Sequence, residues 1–169
     1  MMTYQYDYEV EYVIPIYCWL IEGSDKIILI DTGLLEVIQN DFKCVNAIFY
    51  AHELEFESVY NPHPLDFRYM AEFIEEIDKG GQMVHIKNEI FEVVPGITMI
   101  HTPAHTKGGM SVLINTEKGI LGITGMEVIP PGTNINPYLA YDVMLKFKNM
   151  VDILVPLHEP TFASLETIP

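Results

Sequence analysis

His101-Thr102-Pro103-Ala104-His105-Thr106-Lys107-Gly108-Gly109 decides how this chain is read. Two histidines stand four residues apart in a segment punctuated by proline and glycine, directly after the apolar run Ile97–Ile100. A short apolar run bounded by turn residues reads as a strand, and a loop at a strand end is where a rigid scaffold holds reactive groups. Pro103 fixes the approach of the loop, and Gly108-Gly109 lets the backbone turn into the next strand. Imidazole is the commonest metal-binding side chain, so His105 is the first candidate for chemistry.

Two further stretches carry the same signature of a strand that ends in a chemically useful residue. Ile27-Ile28-Leu29-Ile30-Asp31-Thr32-Gly33 is an apolar strand closed by a carboxylate and a turn. Val155-Pro156-Leu157-His158-Glu159-Pro160 is a late strand end with a histidine. Between them, Gly119–Thr124 runs into Gly125-Met126-Glu127. In this order the landmarks resemble the metallo-β-lactamase superfamily, in particular its lactonase and glyoxalase II-like hydrolases. The resemblance runs from about Tyr12 to Phe162. It implies an α/β fold, a truncated metallo-β-lactamase-like αβ/βα sandwich, as a single domain over residues 1–169.

The resemblance also implies roles. The second histidine of the His-Thr-Pro-x-His loop, His105, is a metal ligand, and so is the late His158. His101 is not a ligand and orients the loop. Asp31 orients the metal site and is the residue carried over as catalytic. The departures are as informative. Ala104 replaces a glycine, and Leu157 replaces a small residue. Met126 stands where the family has a metal-bridging aspartate, and a thioether is a soft ligand, poorly suited to that hard bridging role. Glu127 is one residue on and points to the other side of an extended strand, so it serves as a metal ligand only across a bulge.

The largest departure is internal. The family's His-x-His-x-Asp-His motif occurs nowhere in the chain. Val45-Asn46-Ala47 runs almost directly into Ile48–Glu55, which reads as the strand that follows the missing loop. A deletion there removes three histidines and an aspartate of the family pattern together. Catalytic zinc takes about three protein ligands and a water. The family-matched ligands that remain are His105 and His158, with Glu127, Glu159, His52, His63 or residues of a second subunit as conceivable recruits. The cofactor expectation is therefore none, or one weakly held divalent metal, zinc by preference. Two functions stay open. One is a mononuclear hydrolase of an ester, lactone or thioester. The other is a hydrolase-like pseudoenzyme with a degenerate metal site, which uses the cleft to bind a small molecule or a partner.

Composition sets the bounds. The 169 residues carry a net charge of −15 and a pI near 4.5. Nucleic acid and anionic membrane surfaces both need clustered Lys and Arg, so neither is an expected partner. No apolar run approaches the ~20 residues of a membrane span, and the start of the chain lacks a signal-peptide pattern. The expectation is a soluble, cytoplasmic protein. Cys18 and Cys44 lie in apolar contexts and are expected to be buried free thiols. The lost loop would leave apolar surface uncovered, which predicts a homodimer or higher oligomer. No Walker-type loop and no Gly-x-Ser-x-Gly elbow is present.

The periodicities predict the elements. Alternating tyrosines from Tyr4 to Tyr12 predict a half-buried strand that continues to Ile21 and pairs as a hairpin with Ile27–Ile30. The Ile27–Ile30 run reads as buried on both faces. His52–Glu57 alternates and reads as extended, its glutamates facing water. Leu65–Lys79 and Pro137–Met150 read as helices, the first stopped by Gly80-Gly81 and the second capped by Asn136. Val84–Ile86, Ile90–Val94, Ile97–Ile100, Met110–Asn115, Gly119–Thr124 and Val151–Pro156 read as strands, arranged most naturally in two sheets with helices outside.

Overall fold

β-Branched and aromatic residues in short runs, separated by Gly, Pro and Asn turns, give strands that must find neighbours. The computed structural model describes residues 15–23, 26–31, 46–64, 71–126 and 134–168. These divide into two compact units, one from residues 1–45 and 157–168 and the other from residues 46–156.

In the first unit, β1 (Trp19–Ile21) pairs antiparallel with β2 (Ile28–Ile30), in the register Trp19 to Ile30, Leu20 to Leu29 and Ile21 to Ile28. The expected hairpin is present. The expected burial of Ile27–Ile30 on both faces is not. Ile27 is 90% exposed, and Leu20 and Leu29, opposite each other, are both exposed. The strand lies in a two-stranded ribbon, which leaves one face open. Cys18 is likewise exposed rather than buried. A 3-10 helix (Pro160–Ser164), capped by the Glu159 carboxylate, completes this unit, and Trp19 meets Phe162 edge to face. The expected strand from Tyr4 to Tyr12, together with Thr32, Gly33 and Cys44, lies outside the described residues.

The second unit begins with β3 (Phe49–His52), which runs straight into helix α1 (Glu53–Tyr60). The extended reading of residues 52–57 is corrected here. Phe56 and Val59, three apart, are the buried residues of α1, and the alternating glutamates include two acidic groups in its first turn. Negative charge there suits the helix dipole. Helix α2 (Ala71–Lys79) follows and ends at Gly80-Gly81 as expected, with Gly80 N–H donating to Glu76 C=O. The earlier part of that expected helix, residues 65–70, lies outside the described residues. Strand β4 (Met83–Ile86) pairs parallel with β3, so α1 and α2 form the crossover such pairing requires.

The largest sheet has the order β5-β6-β7-β8-β9. β5 (Ile90–Val94), β6 (Ile97–His101), β7 (Met110–Thr116) and β8 (Gly119–Ile123) form an antiparallel meander through tight turns. Helix α3 (Pro137–Lys148) then carries the chain back so that β9 (Ile153–Val155) joins β8 in parallel. As expected, Asn136 caps α3, its Oδ1 accepting from the Tyr138 and Leu139 amides at 3.0 and 3.1 Å. Phe147 of α3, 1% exposed, rests over Gly122 of β8, where a side chain would collide with its ring. No helix among the described residues is long and apolar enough to cross a membrane.

Candidate functional site

The topology gathers the ends of β6, β8 and β9 and the start of β7 along one edge of the sheet, because His101 pairs with Met110 and Ile123 with both Val112 and Val155. The loop 102–109 leaves from this edge. Its base is closed by Thr102 N–H donating to Gly109 C=O at 2.8 Å. Thr102 Oγ1 and Ser111 Oγ, both buried, share a hydrogen bond of 2.8 Å, and Ser111 Oγ accepts from the Gly125 amide at 3.0 Å. Hydroxyls thus satisfy the polar groups that the strand ends bury.

Beneath the loop the chemistry turns apolar. Ala104, Met126 and Met144 form a buried cluster, flanked by Ala140 and Val143 of α3. Met126 is 2% exposed, and its carbonyl accepts from Thr124 Oγ1 at 2.7 Å. Residue 125 has no room for any side chain, since a Cβ there would fall on the Met110 carbonyl oxygen. Neither position at this strand end offers a carboxylate. Glu127, the expected recruit, lies outside the described residues.

His105 is half-buried between Ala104, whose carbonyl accepts from Ile135 N–H at 2.9 Å, and Thr106, whose hydroxyl bonds the Glu55 carboxylate on α1. His101 donates Nε2–H to the Lys107 carbonyl at 2.8 Å, across its own loop, and turns Nδ1 to Glu89 at 3.3 Å. Its ring stacks on His52, with centroids 4.0 Å apart and planes within 7°. The sequence offered His52 only as a conceivable metal recruit, not as a helix cap stacked on His101. It is 4% exposed and caps α1, its Nδ1 accepting from Leu54 N–H at 3.3 Å. Burial, then the neighbouring His101, hold its pKa below the ordinary histidine value, against the opposing pull of Glu53, Glu89 and Glu55. The signal was there in the spacing of Phe56, Val59 and Tyr60 with acidic residues just after position 52, which is a helix start.

His158 and Asp31 belong to the first unit and His105 to the second. His158 has φ +65°, a left-handed backbone that is uncommon for a residue with a side chain. Its ring explains the posture in part, because Nδ1–H donates to the Pro15 carbonyl at 2.8 Å. That bond fixes the tautomer and leaves Nε2 with the lone pair of the neutral ring, the arrangement of a metal-binding histidine. Tyr17 O–H donates to the Glu159 carbonyl at 2.8 Å and secures the same segment. Asp31 ends β2 with φ +63° and is exposed. Asp is among the residues that tolerate this conformation. Partial desolvation of the exposed side chain first, then the Asp31 charge, push the Cys18 thiol up, away from a reactive thiolate.

A metal of the kind the resemblance implies needs three or four convergent donors. Among the described residues no three His, Cys, Asp or Glu side chains form such a group. His158 offers one suitable nitrogen, and the described strand end beside Met126 offers sulfur in an apolar cluster.

No protein-family model matches the chain. An N-acyl homoserine lactonase of Bacillus sp. is 27% identical across 62% of this chain and 60% of the relative. A solved N-acyl homoserine lactone hydrolase, with the product N-hexanoyl-L-homoserine bound at its catalytic metal centre, is 25% identical with a TM-score of 0.56, covering 71% of this chain and 50% of that one. A quorum-quenching N-acyl homoserine lactone hydrolase shares the fold at a TM-score of 0.71 and 20% identity, covering 92% of this chain and 85% of the other. A Thermotoga maritima protein named for the metallo-β-lactamases does so at 0.53 and 19%, covering 82% and 84%. The chain spans 60% of the length of the curated lactonase it matches and half of the first solved hydrolase. Fold and likenesses together show a metallo-β-lactamase-type fold, similar to that of the N-acyl homoserine lactonases.

Proposed function

We propose that this chain keeps the hydrolase fold of its superfamily but has given up the dinuclear metal centre, and works as a binding module for a small molecule of the acyl-lactone class. The observation that carries this reading is Met126. At the strand end where the resemblance calls for a bridging aspartate, an apolar side chain is 2% exposed and packed against Ala104 and Met144. A buried carboxylate survives only with partners, and this cluster supplies none. The missing His-x-His-x-Asp-His segment points the same way. The ligand class is taken from the relatives, whose substrate or product is an acylated homoserine.

A second reading has one observation in its favour. His158 presents Nε2 in the tautomer a metal wants. One divalent ion held by His158, His105 and a recruited carboxylate would lower the pKa of a bound water for attack on a lactone or thioester, with Asp31 orienting the site.

One experiment separates the two. Protein purified without a histidine tag is dialysed against zinc, and metal per chain is measured alongside hydrolysis and binding of N-hexanoyl homoserine lactone. The binding module retains no stoichiometric zinc and binds the lactone without turnover. About one zinc per chain, lost in His158→Asn together with lactone hydrolysis, would overturn it in favour of the mononuclear hydrolase. Asparagine is the chosen replacement because it tolerates the left-handed backbone at 158.

A further inference from the structure

Loop 102–109 is docked on the first turn of α1 by three separate contacts. The His101 ring, at the root of the loop, lies flat on His52, the cap of α1. Thr106 bonds Glu55. Gly108 approaches so closely that a Cβ there would stand 2.6 Å from the Glu55 amide nitrogen and 3.1 Å from the Leu54 carbonyl carbon. The base of the loop is tied elsewhere, through Thr102 to Gly109 and Ile135 to Ala104. Residues 105–108 are held toward α1 by these contacts, and the His101 Nε2–H bond to the Lys107 carbonyl ties the segment to the same pair of rings.

His52 performs two tasks that both require an unprotonated Nδ1. It accepts the Leu54 N–H, and it presents a neutral face to His101. A proton on Nδ1 abolishes the first and sets a cationic ring flat against His101 at 4.0 Å in a buried place. The titratable groups around the ring are Glu53 and Glu55 on α1, Glu89 before β5, and His101 on β6. Lys87 is engaged with Glu53 at 3.7 Å. We propose that His52 and His101 form a proton-sensitive clamp, which holds residues 105–108 on α1 at neutral pH and releases them in acid.

The sign follows from the folded-state pKa of His52, which lies below the ordinary value of about 6.5. The unfolded or released chain binds the proton more tightly. The clamp's contribution is thus complete above about pH 6.5 and is lost as the pH falls from there toward the lowered folded value.

Amide hydrogen exchange on the full chain tests this, at about pH 7.5 and about pH 5, with rates corrected for intrinsic chemistry. In the wild type, protection at Thr106–Gly108 should fall about tenfold in acid, while β7 and β8 amides keep theirs. In His52→Asn, which caps a helix but does not titrate, protection should be the same at both pH values. Equal protection in the wild type at both pH values would overturn the proposal, as would an equal fall in His52→Asn. Should that variant not fold, ring NMR of wild-type His52 decides. A protonation midpoint matching that of loop release supports the clamp, and one that differs from it sinks it.

Discussion

The edge of the five-stranded sheet and the β1–β2 ribbon are made from similar residues, yet they are buried very differently. Ile120–Ile123 of β8 and Ile27–Ile30, which runs into β2, are both apolar runs, with three and four Ile or Leu residues respectively. In β8, Leu121 and Ile123 are 5% and 6% exposed, because β7 and β9 flank the strand and Phe147 covers it. In the ribbon, Ile27 is 90% exposed. Hydrophobic sequence selects strand conformation. Burial then depends on the number of neighbours, which a local window does not contain.

That contrast is open to attack by substitution. The largest effect is expected at Gly125, where any side chain meets the Met110 carbonyl. Gly125→Ala should cost more than about 3 kcal/mol, read as loss of a cooperative transition or a collapse of the urea midpoint. Next is Met126→Ala, which leaves a cavity among Ala104 and Met144 and should cost about 2–5 kcal/mol by denaturant unfolding. Removing the α3 cap with Asn136→Ala should cost about 1 kcal/mol, visible as a lowered thermal midpoint. At the other extreme, Ile27→Ser in the ribbon should change stability by no more than about 0.5 kcal/mol. A cost at Ile27 as large as that at Met126 would erase the distinction between the two regions.

Much of this fold was legible because its signals were local. The Asn136-Pro137 start of α3, the Gly80-Gly81 stop of α2 and the turns of the β5–β8 meander each rest on residues adjacent in sequence. The misreading at residues 52–57 came from two periods sharing a segment. Glutamates at 53, 55 and 57 alternate, while Phe56 and Val59 carry the helical spacing that tertiary burial selects. The candidate site was legible only in part. The His-Thr-Pro-x-His loop announced itself, and Met126 was visible as a substitution of the family's aspartate. The His52–His101 stack joins residues 49 apart in sequence, and no local pattern reports such a contact. The hydrogen bond from His158 to Pro15 spans 143 residues and was equally out of reach.

The strand end at Gly125-Met126 also has a bearing on reversibility. Placing a carboxylate here is not a one-step change. Position 125 is closed by the Met110 backbone, and position 126 is committed to packing with Ala104 and Met144. A carboxylate at either place would have to arrive together with a shift of β7 or a repacking of α3. Each intermediate would be less stable than the chain as it stands. Such a position acts as a ratchet, and any selection for a carboxylate there would have to begin by loosening α3.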